Sequence, residues 1–74
     1  MTEDALIDIL RVRYQRSNDI GKVVAIHLFA IEYAKYLQGL SLQRIAESAT
    51  GKKSYGAELR KGINLAPHVE LKDE

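Results

Sequence analysis

A chain of 74 residues holds one small domain, whose core supplies only about 3–5 kcal/mol unless something else supports it. It has no cysteine and only two histidines, His27 and His68, which excludes disulfides and argues against a closed zinc site. The net charge of +1 is unevenly spread: residues 1–39 sum to zero, residues 40–66 carry +3, and residues 67–74 carry −2.

The first predicted helix starts at Thr2 as cap, with Glu3 and Asp4 in the first turn, where carboxylates complement the helix dipole. Leu6, Ile7, Ile9, Leu10 and Tyr14 form an apolar stripe at helical spacing, and Arg11, Arg13 and Arg16 sit towards the other end. Ser17-Asn18-Asp19 breaks this helix and offers caps for the next.

The second predicted helix runs from about Ile20 to Gln38, roughly 28 Å, with Gly39 as a left-handed terminator. Its buried face is assigned to Ile20, Val23, Val24, His27, Leu28, Ile31, Ala34 and Leu37. Ile26, Phe29, Tyr33 and Tyr36 widen the apolar surface beyond one stripe, so this helix needs more than one neighbour. It is either the central helix of the domain or a contact for a second subunit. The apolar run from Val23 to Ala34 is interrupted by His27 and Glu32 and is too short to span a bilayer. The acidic start lacks the basic lead-in of a signal peptide, so a soluble cytoplasmic protein is expected.

Ser41 caps the third helix, with Leu40 and Ile45 at the spacing of a hydrophobic staple. Leu42, Ile45, Ala46 and Ala49 face inward, and Gly51 ends the helix. A fourth helix begins near Ser54 and turns Tyr55, Leu59 and Ile63 inward. Its end falls at Gly62, the preferred reading, or just before Pro67. His68-Val69-Glu70-Leu71-Lys72 alternates like a short strand, which pairs with Ile63-Asn64-Leu65 or with a partner subunit or else is disordered, and Lys72-Asp73-Glu74 is expected to fray. The expected fold is all-α: one domain over residues 1–74, with helical support over 1–39, a helix pair over 40–62 and a tail over 63–74.

The stretch from Leu40 to Gly62 resembles the helix-turn-helix superfamily of DNA-binding domains. The resemblance rests on Ile45-Ala46 in a supporting helix, Gly51 in the turn, and a serine-led second helix carrying Lys53, Ser54, Arg60 and Lys61. The alanine is small because the second helix crosses close above it, and glycine in the turn takes a positive φ at little cost. The spacing departs from the family: Gly51 lies five residues after Ala46, one later than usual, and Lys52 stands where the family buries an aliphatic residue. A slightly longer turn is therefore expected. The resemblance implies double-stranded DNA as partner, reached through Arg44, Lys52, Lys53, Ser54, Gly56, Ala57, Arg60 and Lys61. Lys52, Lys53, Ser54 and Arg44 would hold phosphates, Gly56 and Ala57 would let the backbone approach the groove floor, and Arg60 would meet a base edge. Solvated surface lysines, an Arg60 paired with Glu58 or Glu47, a core Tyr55, and Gly51 and Gly56 serving only turn and packing needs are the plainer alternatives.

Thr50-Gly51-Lys52-Lys53-Ser54 fails as a phosphate-binding loop, because Lys53 and Ala46 occupy two positions that the motif needs for Ser/Thr and Gly. His27 lies among apolar neighbours as a hydrogen-bonded core histidine, and no nucleophile or metal constellation is visible. The expectation is a non-enzymatic protein without cofactor, catalytic or metal site. It is read as a transcriptional regulator or accessory DNA reader acting as a homodimer. The rival is a helical adaptor that binds another protein through Phe29, Tyr33 and Tyr36.

Overall fold

The computed structural model describes residues 1–18 and 20–72; Asp19, Asp73 and Glu74, and the expectations placed on them, lie outside that range. The described residues form α1 (Glu3–Gln15), α2 (Lys22–Glu32), α3 (Ala34–Leu37), α4 (Leu42–Thr50) and α5 (Gly56–Leu65). Two 3-10 turns, Lys53–Tyr55 and Ala66–His68, flank α5. No helix is long and apolar enough to cross a membrane.

α1 and α4 follow the sequence closely because their caps and stripes agree. Thr2 Oγ1 accepts from the Ala5 amide at 3.1 Å, and Leu6, Ile7 and Leu10 are buried. Ser41 Oγ accepts from the Arg44 amide at 3.3 Å, and Leu42, Ile45, Ala46 and Ala49 are all buried. Gly51 ends α4 at φ 83°, its amide donating to the Glu47 carbonyl at 2.9 Å. That is the left-handed cap that glycine accepts without strain.

The long second helix is instead two. α2 ends at Tyr33 (φ −107°, ψ 17°), and α3 begins at the next residue. No proline or glycine marks this break. Tyr33 lies between Phe29 and Tyr36, with ring centroids at 5.1 and 6.3 Å, and Arg13 sits 5.3 Å from its centroid. Gln38 (φ −59°, ψ 129°) and Gly39 (φ 79°) then turn the chain, closed by the Leu40 amide on the Leu37 carbonyl. This is a type II pattern, with glycine where φ must be positive.

The face of α2 is also corrected. Ala25, Ile26, Phe29 and Ala30 are buried, whereas Ile20, Val23, Val24 and Leu28 are exposed. An almost uniformly apolar helix leaves its phase open. Here the small residues decide it, because α5 crosses α2 so closely that a Cβ on Gly62 would lie 2.5 Å from Ala30 Cβ and 2.8 Å from the His27 carbonyl oxygen.

That contact explains a second correction. Gly62 does not stop α5, which continues through Leu65; glycine stands there to admit α2. Ile63, Asn64 and Leu65, the expected strand partners, are thereby helical. Pro67 sits in the following 3-10 turn, and residues 69–72 adopt no regular structure, so no strand forms among the described residues. The adaptor surface also changes, since Phe29 is completely buried.

Gly62→Ala is expected to destabilise the fold by about 1–2 kcal/mol. Overpacking of about 1–3 kcal/mol exceeds the gain of up to about 1 kcal/mol that alanine brings to a helix. Urea unfolding checks the sign, and an unchanged or raised midpoint would show that α2 has room to yield.

Candidate nucleic-acid interface

The link from α4 to α5 is the part of the chain most tightly tied by its own polar groups. Thr50 Oγ1 donates to the Ala46 carbonyl at 2.7 Å and accepts from the Lys52 amide at 3.2 Å. The chain then makes the 3-10 turn Lys53–Tyr55, closed by the Tyr55 amide on the Lys52 carbonyl at 3.2 Å. The extra length expected from the late glycine is absorbed in this way. Ser54 lies inside the 3-10 turn and does not cap α5, whose N-cap is Tyr55 without a side-chain bond.

α5 is seated on two sides. Leu59 and Ile63 enter the core, and Tyr55 packs against it. Gly56 is buried against α4: a Cβ there would lie 3.0 Å from the Gln43 backbone. This corrects its expected place on the open face; its lack of a side chain serves helix packing. Outward from α5 stand Ala57, Arg60, Lys61 and Asn64, all exposed. Their spacing of three, four and seven residues puts them on one stripe about 10 Å long. Asn64 lies beyond a helix that ends at Gly62 and joins the stripe only because α5 runs to Leu65. It is the next turn of the stripe begun by Ala57 and Arg60.

The cations differ in their commitments. Lys52, Lys53 and Arg60 are exposed and make no ion pair among the described residues. Lys61 Nζ lies 3.2 Å from Glu58 Oε2, and Arg44 Nε lies 3.5 Å from Glu3 Oε1, with the arginine side chain 75% exposed. Pairs this exposed contribute about 0–1 kcal/mol, so a phosphate can replace the carboxylate at little cost. Lys52 Nζ lies 5.7 Å from the Tyr55 ring, Tyr55 lies 5.8 Å from Tyr14, and Lys22 Nζ lies 4.3 Å from the Tyr14 ring. A lysine from the electrically neutral first half thus stands at the end of a basic and aromatic row. Sequence spacing held no sign of it, because the row is built across α1, α2 and the turn. Burial, then the neighbouring Tyr55, pushes the Tyr14 hydroxyl above its ordinary pKa, so the phenol stays neutral within the row.

Behind the stripe, His27 Nε2 lies 2.8 Å from Glu58 Oε1 and links α2 to α5. His27 is therefore hydrogen-bonded, though half-buried rather than fully enclosed. The His27 bond, then that from Lys61, holds the Glu58 carboxyl below the usual carboxylate range. His68 is exposed in the second 3-10 turn. Among the described residues no group of three or more potential ligands is placed to hold a metal.

Two short helices joined through a left-handed glycine, the second presenting a polar stripe, define a helix-turn-helix domain. The chain matches the family described as an HTH-like domain over residues 2–72, and it belongs to that family. No curated protein and no solved structure matches it.

Glu58→Gln is expected to lower the melting temperature near neutral pH and to flatten the acid side of the stability profile. Because the folded-state pKa is depressed, the contribution of Glu58 is complete above the ordinary value of 4.5 and is lost as pH falls through the lower folded value. Melting curves of both proteins across that range check this. Parallel profiles would show that the link between α2 and α5 stabilises nothing.

Proposed function

We propose that this protein binds double-stranded DNA with α5 as its reading helix and acts as a transcriptional regulator or accessory DNA reader. The observation that carries the reading is the exposed stripe Ala57, Arg60, Lys61 and Asn64 on a helix seated by Gly56 and Gly62. Lys52, Lys53 and Ser54 lie at the approach to α5, where phosphate contacts set the register of a helix in the groove. Ala57 keeps the centre of the stripe low, so the backbone can come close to the base edges. Arg60 offers two donors to guanine and Asn64 a donor and acceptor to adenine. Arg44 on α4 and Lys22 at the start of α2 extend the phosphate contacts to either side. One domain of this size reads one half-site, and two copies on adjacent half-sites supply affinity and register.

The adaptor reading keeps one supporting observation. Val23, Val24 and Leu28 are exposed on α2. Salt separates the two readings, because neutralising phosphates releases counterions whereas apolar docking does not.

Fluorescence-anisotropy titration of a random-sequence duplex across a salt series tests this. With about five phosphates neutralised per domain, log affinity is expected to fall with log salt at a slope of about −4 to −5. Lys53→Gln and Lys22→Gln are each expected to reduce that slope by about 1, and Arg60→Glu to abolish binding at moderate salt. Circular dichroism confirms that each variant is folded. A folded wild type that does not bind at low salt would sink the DNA reading.

A further inference from the structure

We propose that the groove between α1 and α2 is covered by the same groove of a second copy, the two α1 helices lying antiparallel across a twofold axis at Val12. This rests on the two-copy reading above but not on DNA binding. The groove is open, about 610 Å³, and its apolar part is Ile9, Val12, Ile20, Ala25 and Leu28. Val12 is 44% exposed, Ile20 52% and Leu28 37%, with Val23 and Val24 also exposed on α2. Val12, Ile20 and Leu28 thus bring three exposed large hydrophobic residues together in one groove, which marks an interaction surface rather than scattered exposure.

The charges on the rim select the occupant. Asp8 stands four residues before Val12 and Arg16 four residues after it, and all three line the groove; Arg13, the remaining charged residue of the lining, is already neutralised by its two-pronged bond to Glu32. Asp8 and Arg16 each lie about 6 Å along α1 from Val12. A twofold axis at Val12 brings Asp8 of each copy against Arg16 of the other, twice over. A parallel pairing would set aspartate against aspartate and arginine against arginine. Self-complementarity about one residue is what an isologous interface requires. Asp8 is 72% exposed, and its contact to Arg11, 2.6 Å away within the same helix, is an exposed pair of small worth.

The surface is also free of the reading helix. Arg11, on the other flank of α1 from Ile9 and Arg13, donates to the Ser48 carbonyl of α4 at 3.3 Å. The flank of α1 that meets the helix-turn-helix is therefore not the flank that lines the groove.

Sedimentation equilibrium without DNA tests the proposal on the full chain, with folding followed by circular dichroism. The wild type is expected to be dimeric, and Val12→Glu, Asp8→Arg and Arg16→Glu each to weaken association by about tenfold or more. The double variant Asp8→Arg/Arg16→Glu, which restores opposite charges, is expected to recover most of the loss. A wild type still monomeric at about 100 µM would overturn the proposal, as would a dimer indifferent to Val12→Glu. A folded double variant no tighter than either single variant would overturn the antiparallel register. If Val12→Glu fails to fold, the three charge variants decide. Since no DNA is present, a monomer here leaves the salt dependence of DNA binding to be judged separately.

Discussion

A helix proposed to read DNA can present a defined row of side chains only if its rotation and tilt are fixed by what lies behind it. In this domain both are set where α5 crosses α2. Gly62 leaves no room between the helix backbone and Ala30 or the His27 carbonyl, so the helices meet at the closest approach their backbones allow. At the other end of α5, Gly56 makes a close but less extreme approach, a Cβ there lying 3.0 Å from the Gln43 backbone of α4. Each glycine costs a helix up to about 1 kcal/mol relative to alanine, and each removes the side chain that would hold the helices apart. With both ends pressed against different partners, Leu59 and Ile63 have one way to enter the core, and the opposite stripe has one way to face out. The link from His27 to Glu58 adds a directional bond to this seat without covering the stripe.

Legibility in the sequence followed the amount of contrast each segment carried. α1 and α4 have capping residues at their starts and a single apolar stripe, so their extents and buried faces could be read directly. Lys53, Ala57, Arg60 and Lys61 were placed outward because Leu59 and Tyr55 had to point inward. α2 lacked that contrast. Its apolar residues go almost all the way round, and the deciding information lay in Ala30 and in Gly62, far along the chain. Gly62 was misread because glycine serves two purposes in helices, stopping them and letting another backbone approach. Ending the helix there leaves Asn64 outside the stripe and Ile63, Asn64 and Leu65 free to be offered as a partner to the alternating segment His68 to Lys72. For Gly56 the choice lay between an approach to a groove floor and packing within the domain, and its place against Gln43 is the packing one. Lys22 was invisible for a different reason: its place beside Tyr14 exists only once α1 and the turn before α5 are assembled.

The charges divide by geometry more clearly than by sign. Arg13 makes a two-pronged contact with Glu32 at 2.9 and 3.1 Å and also covers Tyr33. Its hydrogen bond is the main reason the Glu32 carboxyl lies below its usual range. That arginine ties α1 to the end of α2 and is unsuited to leave its partner. Arg44 and Lys61 instead have single, exposed ion pairs, while Lys52, Lys53 and Arg60 make no ion pair among the described residues. Residues 40–66 hold five such cations and the excess charge of +3, while Arg16, Lys22 and Lys35 of the first half also make no ion pair among the described residues. For a polyanion the useful quantity is this exchangeable charge, because a cation locked in a two-pronged bond brings no counterion release with it.

The position of α1 ties the proposed DNA face to the proposed dimer face. One flank packs on α4, where Arg11 reaches the Ser48 carbonyl, and the other borders the groove with α2. A twofold axis through Val12 would therefore place two α4–α5 units on outward sides of a central pair of α1 helices. The two reading stripes would then keep a fixed separation set by helix packing rather than by a flexible linker. A rigid separation favours one spacing of half-sites and penalises others. An interface built on Val12 would thus act on sequence recognition without touching a base, through the geometry it imposes on Arg60 and Asn64 in the two copies.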